Sequence, residues 1–116
     1  MPKAIRGEIW TVEFDPAVGA EIRKVRPAVV MNARNVGRLP LCIVVPLTDW
    51  KPTFADCIWF TEIAPTLENG LTKLSGADAF QVKSFSENRL KQRLGRLAED
   101  EVTAIAAAVA LCVGHR

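Results

Sequence analysis

The sequence holds a single histidine, His115. A Ser-His-Asp or Cys-His triad needs a histidine surrounded by other catalytic segments, and a multi-histidine metal centre needs several, so both are all but excluded. Cysteine is scarce as well. Cys42, Cys57 and Cys112 are odd in number, far apart and without Cys-x-x-Cys spacing, which argues against a disulfide framework and against a zinc site. Each sits among apolar residues and is expected to be a free thiol in a reducing compartment. Neither a metal nor another cofactor is expected. No apolar run approaches the roughly 18 residues of a membrane span. The opening Met1-Pro2-Lys3-Ala4-Ile5-Arg6 lacks the apolar core of a signal peptide, so a cytoplasmic protein is expected. Internal repeats, low-complexity tracts and linkers are also missing, and 116 residues amount to one domain, 1–116.

What is present is a globular composition, 49% hydrophobic and 24% charged, sufficient to bury a core. The net charge is only +2 but is unevenly spread. Residues 1–51 carry eight basic and five acidic side chains, 52–82 one against four, and 83–96 five against one. Two basic blocks around an acidic one favour an anionic partner, although scattered lysines and arginines also describe an ordinary solvated surface.

Residues 8–14 alternate, with Trp10, Val12 and Phe14 on one face, and Asp15-Pro16 ends the run. Segments 27–31 and 41–47 are apolar on both faces, as in central strands, joined by a connection at 35–40; Pro27 suits a strand start. Further strands are expected at 56–61 and 77–85, separated by a loop with Pro65 and a tight turn at Asn69-Gly70. Ser86 is a candidate N-cap for one helical turn, and a short strand follows at 93–97. From Glu99 the period becomes helical, with Val102, Ile105, Ala106, Val109 and Val113 on one face, three acidic residues at the start, and Gly114, His115 and Arg116 at the end. The expected architecture is mainly β with a C-terminal helix.

Two segments carry chemistry. The stretch 18–27 joins a glycine, one carboxylate (Glu21) and three cations (Arg23, Lys24, Arg26) between apolar runs. It reads either as a charged hairpin loop or as an anion site. Arg26 precedes a proline, which biases its backbone to be extended and fixes its position, so that its guanidinium is able to fork onto a phosphate. Thr48 closes the run Val44-Val45-Pro46-Leu47-Thr48, either as a good β residue or as a polar group presented at a strand end.

The ordered set Arg6-Gly7-Glu8-Ile9-Trp10, Asp15-Pro16-x-x-Gly19-x-Glu21, Arg26-Pro27-Ala28-Val29-Val30, Val45-Pro46-Leu47-Thr48, Gln81-Val82-Lys83, Arg89-Leu90 and Leu94-Gly95-Arg96-Leu97 resembles the motifs of the MazF/PemK (Kid) toxins. The resemblance implies an SH3-like barrel of the CcdB/PemK type with a C-terminal helix. It also implies a homodimeric, metal-independent endoribonuclease that cuts single-stranded RNA sequence-selectively, arrests growth, and is silenced by a cognate MazE-like antitoxin. By position, Arg26 and Thr48 match the catalytic residues of the MazF branch, and Glu21 an activity-linked glutamate. Ala20 stands where many members have serine and the Kid branch a histidine. Asp78 and Phe80 stand where Kid uses an arginine and an aspartate, so MazF-type chemistry is expected.

In that chemistry the RNA 2′-hydroxyl attacks the adjacent phosphorus, leaving a 2′,3′-cyclic phosphate and a 5′-hydroxyl. Arg26 and the Thr48 hydroxyl would meet the charge that builds on the nonbridging oxygens. Glu21 is open as general base, as the orienting partner of an arginine, or as a surface charge. Trp50 and Phe54 are the expected base-stacking faces, while Trp10 and Phe14 fill the core. Lys51 and Lys83 are candidate phosphate contacts, and Arg23, Lys24 and Gln81 complete the expected substrate-binding set. The basic run 89–96 is a candidate face for the antitoxin. Two competing readings are a non-catalytic SH3-like binding module and a CcdB-like gyrase-inhibiting toxin; the latter group carries a terminal tryptophan where this chain has Val113-Gly114-His115-Arg116.

Overall fold

Alternation in the first apolar segment becomes β1 (Glu8–Glu13), which hydrogen-bonds on one side to β2 (Val25–Val30) and on the other to β7 (Leu90–Arg96). The computed structural model describes residues 4–34, 36–37 and 39–115. Asn35 and Arg38 of the expected 35–40 connection, and Arg116 of the expected helix end, lie outside the described residues. Between β2 and β7 come β3 (Leu41–Asp49), β4 (Phe60–Ile63), β5 (Ser75–Asp78) and β6 (Lys83–Ser86). The sheet order is β4-β5-β3-β2-β1-β7, with β6 also paired to β3, every pairing antiparallel. Helix α1 (Glu99–Cys112) closes the chain. No helix among the described residues is long and apolar enough to cross a membrane.

The double-sided apolarity of β2 and β3 is used on both faces. Ile9, Val29, Met31, Val45 and Leu47 build one core cluster, completed by Leu97, Val102 and Ile105 as α1 lies on that side. Val12, Phe14, Ala28, Val30, Cys42 and Val44, of opposite parity, build the second with Leu90, and the half-buried Trp10 packs against it. Burial first, and the Glu87 charge second, push the Cys42 thiol up to about 11, whereas Cys57 and Cys112 are only half-buried.

Five expectations are corrected. Strand β2 begins at Val25, not Pro27. Because Phe14 N–H donates to Lys24 O, residues 24, 26 and 28 turn their main chain toward β1, and Pro27 turns its missing donor to the opposite side, where β3 has already left the ladder. The expected strand at 56–61 starts at Phe60, because Pro52–Asp56 forms a 3-10 turn that folds back until Phe54 stacks on Phe60 at 3.9 Å between centroids. The expected strand at 77–85 is broken by a 3-10 turn, Ala79–Gln81, capped by Asp78, whose Oδ1 accepts Phe80 N–H at 3.2 Å. The strand expected at 93–97 starts earlier, at Leu90, since the Ser86-capped turn is a single 3-10 turn. Val113 lies past the end of α1 and is exposed, so it does not share the buried face of Val102 and Ile105.

The motif residue Glu8 is a structural tie. Its buried carboxylate accepts Ile5 N–H at 2.8 Å and Trp10 Nε1–H at 3.2 Å, and pairs with Arg93 Nε at 2.7 Å. In the 64–71 loop the fully buried Asn69 accepts the N–H groups of Thr66 and Leu71 at 3.0 Å and donates to Ala64 O at 2.9 Å. Replacing it by alanine removes the partner of three main-chain groups, the buried Leu71 N–H and the part-buried Thr66 N–H and Ala64 C=O. Asn69→Ala is therefore expected to lower unfolding free energy by about 2–4 kcal/mol in urea titration; a loss below about 0.5 kcal/mol would show the loop to be held by other contacts.

Candidate active site

The register between β2 and β3 runs Val30↔Val44, Val29↔Val45, Ala28↔Pro46 and stops. Carried two residues further, it sets Arg26 opposite Thr48 on the face of the second core cluster, away from α1. At that point β3 has turned to β5, pairing Leu47↔Ala77 and Thr48↔Gly76, while Arg26 stays bonded to β1 opposite Val12. Both side chains are half-buried at the mouth of the opening strands. Arg26 Nε donates to Arg23 O at 3.0 Å, and among the described residues its two terminal nitrogens have no hydrogen-bond partner. The guanidinium is thus anchored by its inner nitrogen with its fork outward, as bidentate recognition of a phosphate requires.

Lys83, opposite Val44, lies on the same face of β6, and its ammonium reaches the exposed Glu21 carboxylate at 3.4 Å. The other Glu21 oxygen accepts Val18 N–H at 2.7 Å. That main-chain bond first, and the Lys83 charge second, hold the Glu21 carboxyl below the usual carboxylate range. The 18–24 loop is tied down again where Ile22 N–H donates to Gln81 Oε1 at 2.6 Å, while the Gln81 amide donates to Asp78 Oδ2 at 3.4 Å. Asp78 is buried, and its desolvation, only partly offset by bonds from Phe80 and Gln81, raises its carboxyl above the ordinary range. Arg23 donates to Gly19 O at 3.1 Å, and the chain enters β2 through Lys24 at φ 68°, a backbone state uncommon outside glycine.

Beyond Thr48 lies an aromatic cluster. Trp50 meets Phe54 edge-on at 5.7 Å, and Phe54 stacks on Phe60. All three lie over Gly76, whose missing side chain makes room for them: a Cβ there would stand 3.0 Å from Phe60, 3.1 Å from Trp50 and 3.4 Å from Phe54. Lys51 is exposed at the start of the 3-10 turn beside them.

The structure therefore gathers Glu21, Arg23, Lys24, Arg26, Thr48, Gln81 and Lys83 around one face, with Trp50, Lys51 and Phe54 at its margin. Gln81 is engaged at both ends of its amide within the protein, and Phe54 has one ring face covered. Phe60, Gly76 and Asp78 were missed as site residues. A glycine within a strand is a signal of close approach, but the strand expected from the sequence began one residue after Gly76. In the basic run, Arg89 donates to Glu13 O and Asp15 O at 3.0 and 2.8 Å and lies 5.0 Å over the Phe85 ring, and Arg93 pairs with Glu8, so two of its cations hold the fold. Among the described residues no three His, Cys, Asp or Glu side chains converge as metal ligands.

A mainly β sheet with one C-terminal helix on its far face is the CcdB/PemK-type fold of the MazF toxins. The chain matches the family of PemK-like, MazF-like toxins of type II toxin-antitoxin systems over residues 5–113, and it belongs to that family. It is 34% identical over 113 residues to Endoribonuclease MazF9 of Mycobacterium tuberculosis, covering 91% of this chain and 92% of the relative. Among solved structures it resembles MazF from Deinococcus radiodurans (TM-score 0.77, 19% identity, 94% of each chain). It also resembles a mycobacterial endoribonuclease in complex with its cognate antitoxin (TM-score 0.75, 15% identity, 97% of this chain and 96% of that one).

The Glu21–Lys83 pair generates a test by titration. A carboxyl held low keeps its charge, and with it the loop tie, above its ordinary range; the tie is lost as pH falls through the depressed value. In Lys83→Met the Glu21 midpoint, followed by carboxyl carbon NMR, is expected to move upward without reaching the ordinary value, since the Val18 bond remains. An unmoved midpoint would show that the two charges do not interact in solution.

Proposed function

We propose that this chain, an endoribonuclease toxin of the MazF kind, cuts single-stranded RNA sequence-selectively and without a metal, using the substrate's own 2′-hydroxyl as nucleophile. The observation that carries the reading is the register that sets Arg26 opposite Thr48 at the parting of β2 and β3. The attacked phosphate seats between them. As the 2′-oxygen gives its proton to water and bonds to phosphorus, and the departing 5′-oxygen takes a proton from water, charge concentrates on the nonbridging oxygens, where the Arg26 fork and the Thr48 hydroxyl donate hydrogen bonds already oriented by the sheet. Glu21 acts as a positioning residue: both its oxygens are engaged by Val18 and Lys83, and its depressed pKa makes it a weak proton acceptor. It holds the 18–24 loop over the face. Lys83, Arg23, Lys24 and Lys51 line the path of the flanking phosphates, Gln81 fixes the loop that presents Arg23 and Lys24, and the outer faces of Trp50 and Phe54 receive unstacked bases.

We further read the protein as a cytoplasmic homodimer controlled by an antitoxin. The exposed apolar side chains Ile58 and Phe80, each 72% accessible, rim a hollow of about 230 Å³ with Trp59, Leu111 and Cys112, a surface suited to cover by a second copy. The mycobacterial relative solved with its cognate antitoxin supports an antitoxin partner.

The testing experiment replaces the ribose 5′ to the scissile phosphate by 2′-deoxyribose, with all reactions run in excess EDTA. Cleavage of the all-ribose strand, to products ending in a cyclic phosphate by mass, and resistance of the deoxy strand are expected. Cleavage of the deoxy bond at an undiminished rate, or activity that requires added magnesium, would overturn the mechanism. Arg26→Ala is expected to lower the cleavage rate at least 100-fold, about 2.7 kcal/mol, in a protein that remains folded by circular dichroism. Lysine at this position should restore little, since an ammonium cannot fork. A folded alanine variant within about threefold of the parent would make Arg26 structural.

A further inference from the structure

At the opposite end of β1 and β2 from Arg26, roughly 20 Å along the strands, lies a groove of about 770 Å³ that the catalytic reading does not use. Three guanidiniums line it: Arg6 before β1, Arg34 after β2 and Arg96 at the end of β7. One carboxylate, Glu99, faces them. Arg6 is fixed by donation to Met31 O, and Arg96 through its main chain, whose N–H donates to Glu68 O at 2.8 Å. Among the described residues no carboxylate lies within 4.0 Å of any of the three guanidiniums. Three cations converging on a cavity repel one another unless an anion occupies it. No aromatic side chain is among the lining residues, so the groove offers charge and hydrogen-bond donors but no ring on which a base would stack.

A second observation says how long the anion is. Along β7, Lys91 and Arg93 are exposed and lead from Arg89, which holds the end of β1 beside the catalytic loop, to Arg96 in the groove. The cations form a track rather than an isolated cluster. We propose that this groove, with the β7 track, binds the phosphate backbone of single-stranded RNA outside the segment being cut, independently of base sequence. The inference rests on RNA being the substrate. Strands long enough to reach from Thr48 to Arg34 gain affinity there, and strands that fill only the catalytic face do not. A short acidic peptide would satisfy the groove's charge but would not reach the exposed Lys91 or the half-exposed Arg93, of which Glu8 engages only the inner nitrogen.

The test measures binding by fluorescence anisotropy across a salt series, using uncleavable 2′-deoxy-substituted single strands: a short one confined to the catalytic face and a long one able to reach the groove. For the full chain carrying Arg34→Ala and Arg96→Ala, the slope of log affinity against log salt on the long strand is expected to fall by about 1.4, and affinity at low salt by about tenfold. Binding of the short strand, and its all-ribose cleavage, should stay within about twofold of the parent. Lysine at both positions should preserve the slope. An unchanged slope on the long strand, or an equal loss on both strands, overturns the proposal. So does unaltered RNA binding accompanied by lost binding of poly-L-glutamate, which assigns the groove to an acidic peptide. If the parent binds the long strand through these arginines yet cuts no RNA, the catalytic reading fails and the groove stands; cleavage with no dependence on Arg34 and Arg96 gives the reverse.

Discussion

A strand that pairs β6 as far as Val44 and β5 from Leu47 must pass through two residues whose edge on that side is unpaired, and β3 has Val45 and Pro46 there. Met31 N–H donates to Ile43 O, so by alternation Pro46 turns its nitrogen away from β2, to the side where partners change, and the missing donor costs no ladder bond. The same swing carries Leu47 and Thr48 out of reach of β2, where Pro27 offers no N–H to retain them. The gap between Arg26 and Thr48, the seat of the aromatic cluster on Gly76, and the approach of Gln81 to the 18–24 loop all follow from this change of partner.

The electrostatics of the face follow from how each charge is anchored. Arg26 is held through its inner nitrogen, Lys83 by Glu21, and Glu21 by Val18 N–H. An anchored cation needs little rearrangement when an anion arrives, and a charge already held in place interacts with it at less cost than one that must first be ordered. The buried Asp78 stands behind this layer, with its hydrogen bonds directed to Gln81 and the Ala79–Gln81 turn rather than outward.

Much of this was legible in the sequence. The alternation of 8–14, the double-sided apolarity of 41–47 and the acidic start of α1 are local signals, and each lies where it was read. The following proline marks the position of Arg26 and the end of a buried run that of Thr48, but each pattern also fits an ordinary structural role, and only the family resemblance singles the two out. The breaks were not legible. That Ala79–Gln81 leaves the sheet depends on Asp78 capping it from a buried position, and that Phe60 rather than Asp56 opens β4 depends on a ring stack reached only after the 3-10 turn has formed. The Gln81–Ile22 bond spans 59 residues, and the pairing of Glu8 with Arg93 spans 85. Composition places such residues in the molecule but leaves their partners open. Arg89 and Arg93, read as part of a basic face, have partners within the fold for this reason, although Arg93 keeps about half of its side chain exposed (49%).

The two apolar clusters lie on opposite faces of one sheet, and only one of them borders Arg26 and Thr48. Packing changes beneath α1, at Ile9, Val45, Leu47 or Ile105, reach Arg26 and Thr48 only through the backbone of β2 and β3. A lineage carrying this fold is thereby free to drift in thermal tolerance through the helix-side cluster while the surface around Arg26 and Thr48 changes separately on the other side of the same strands.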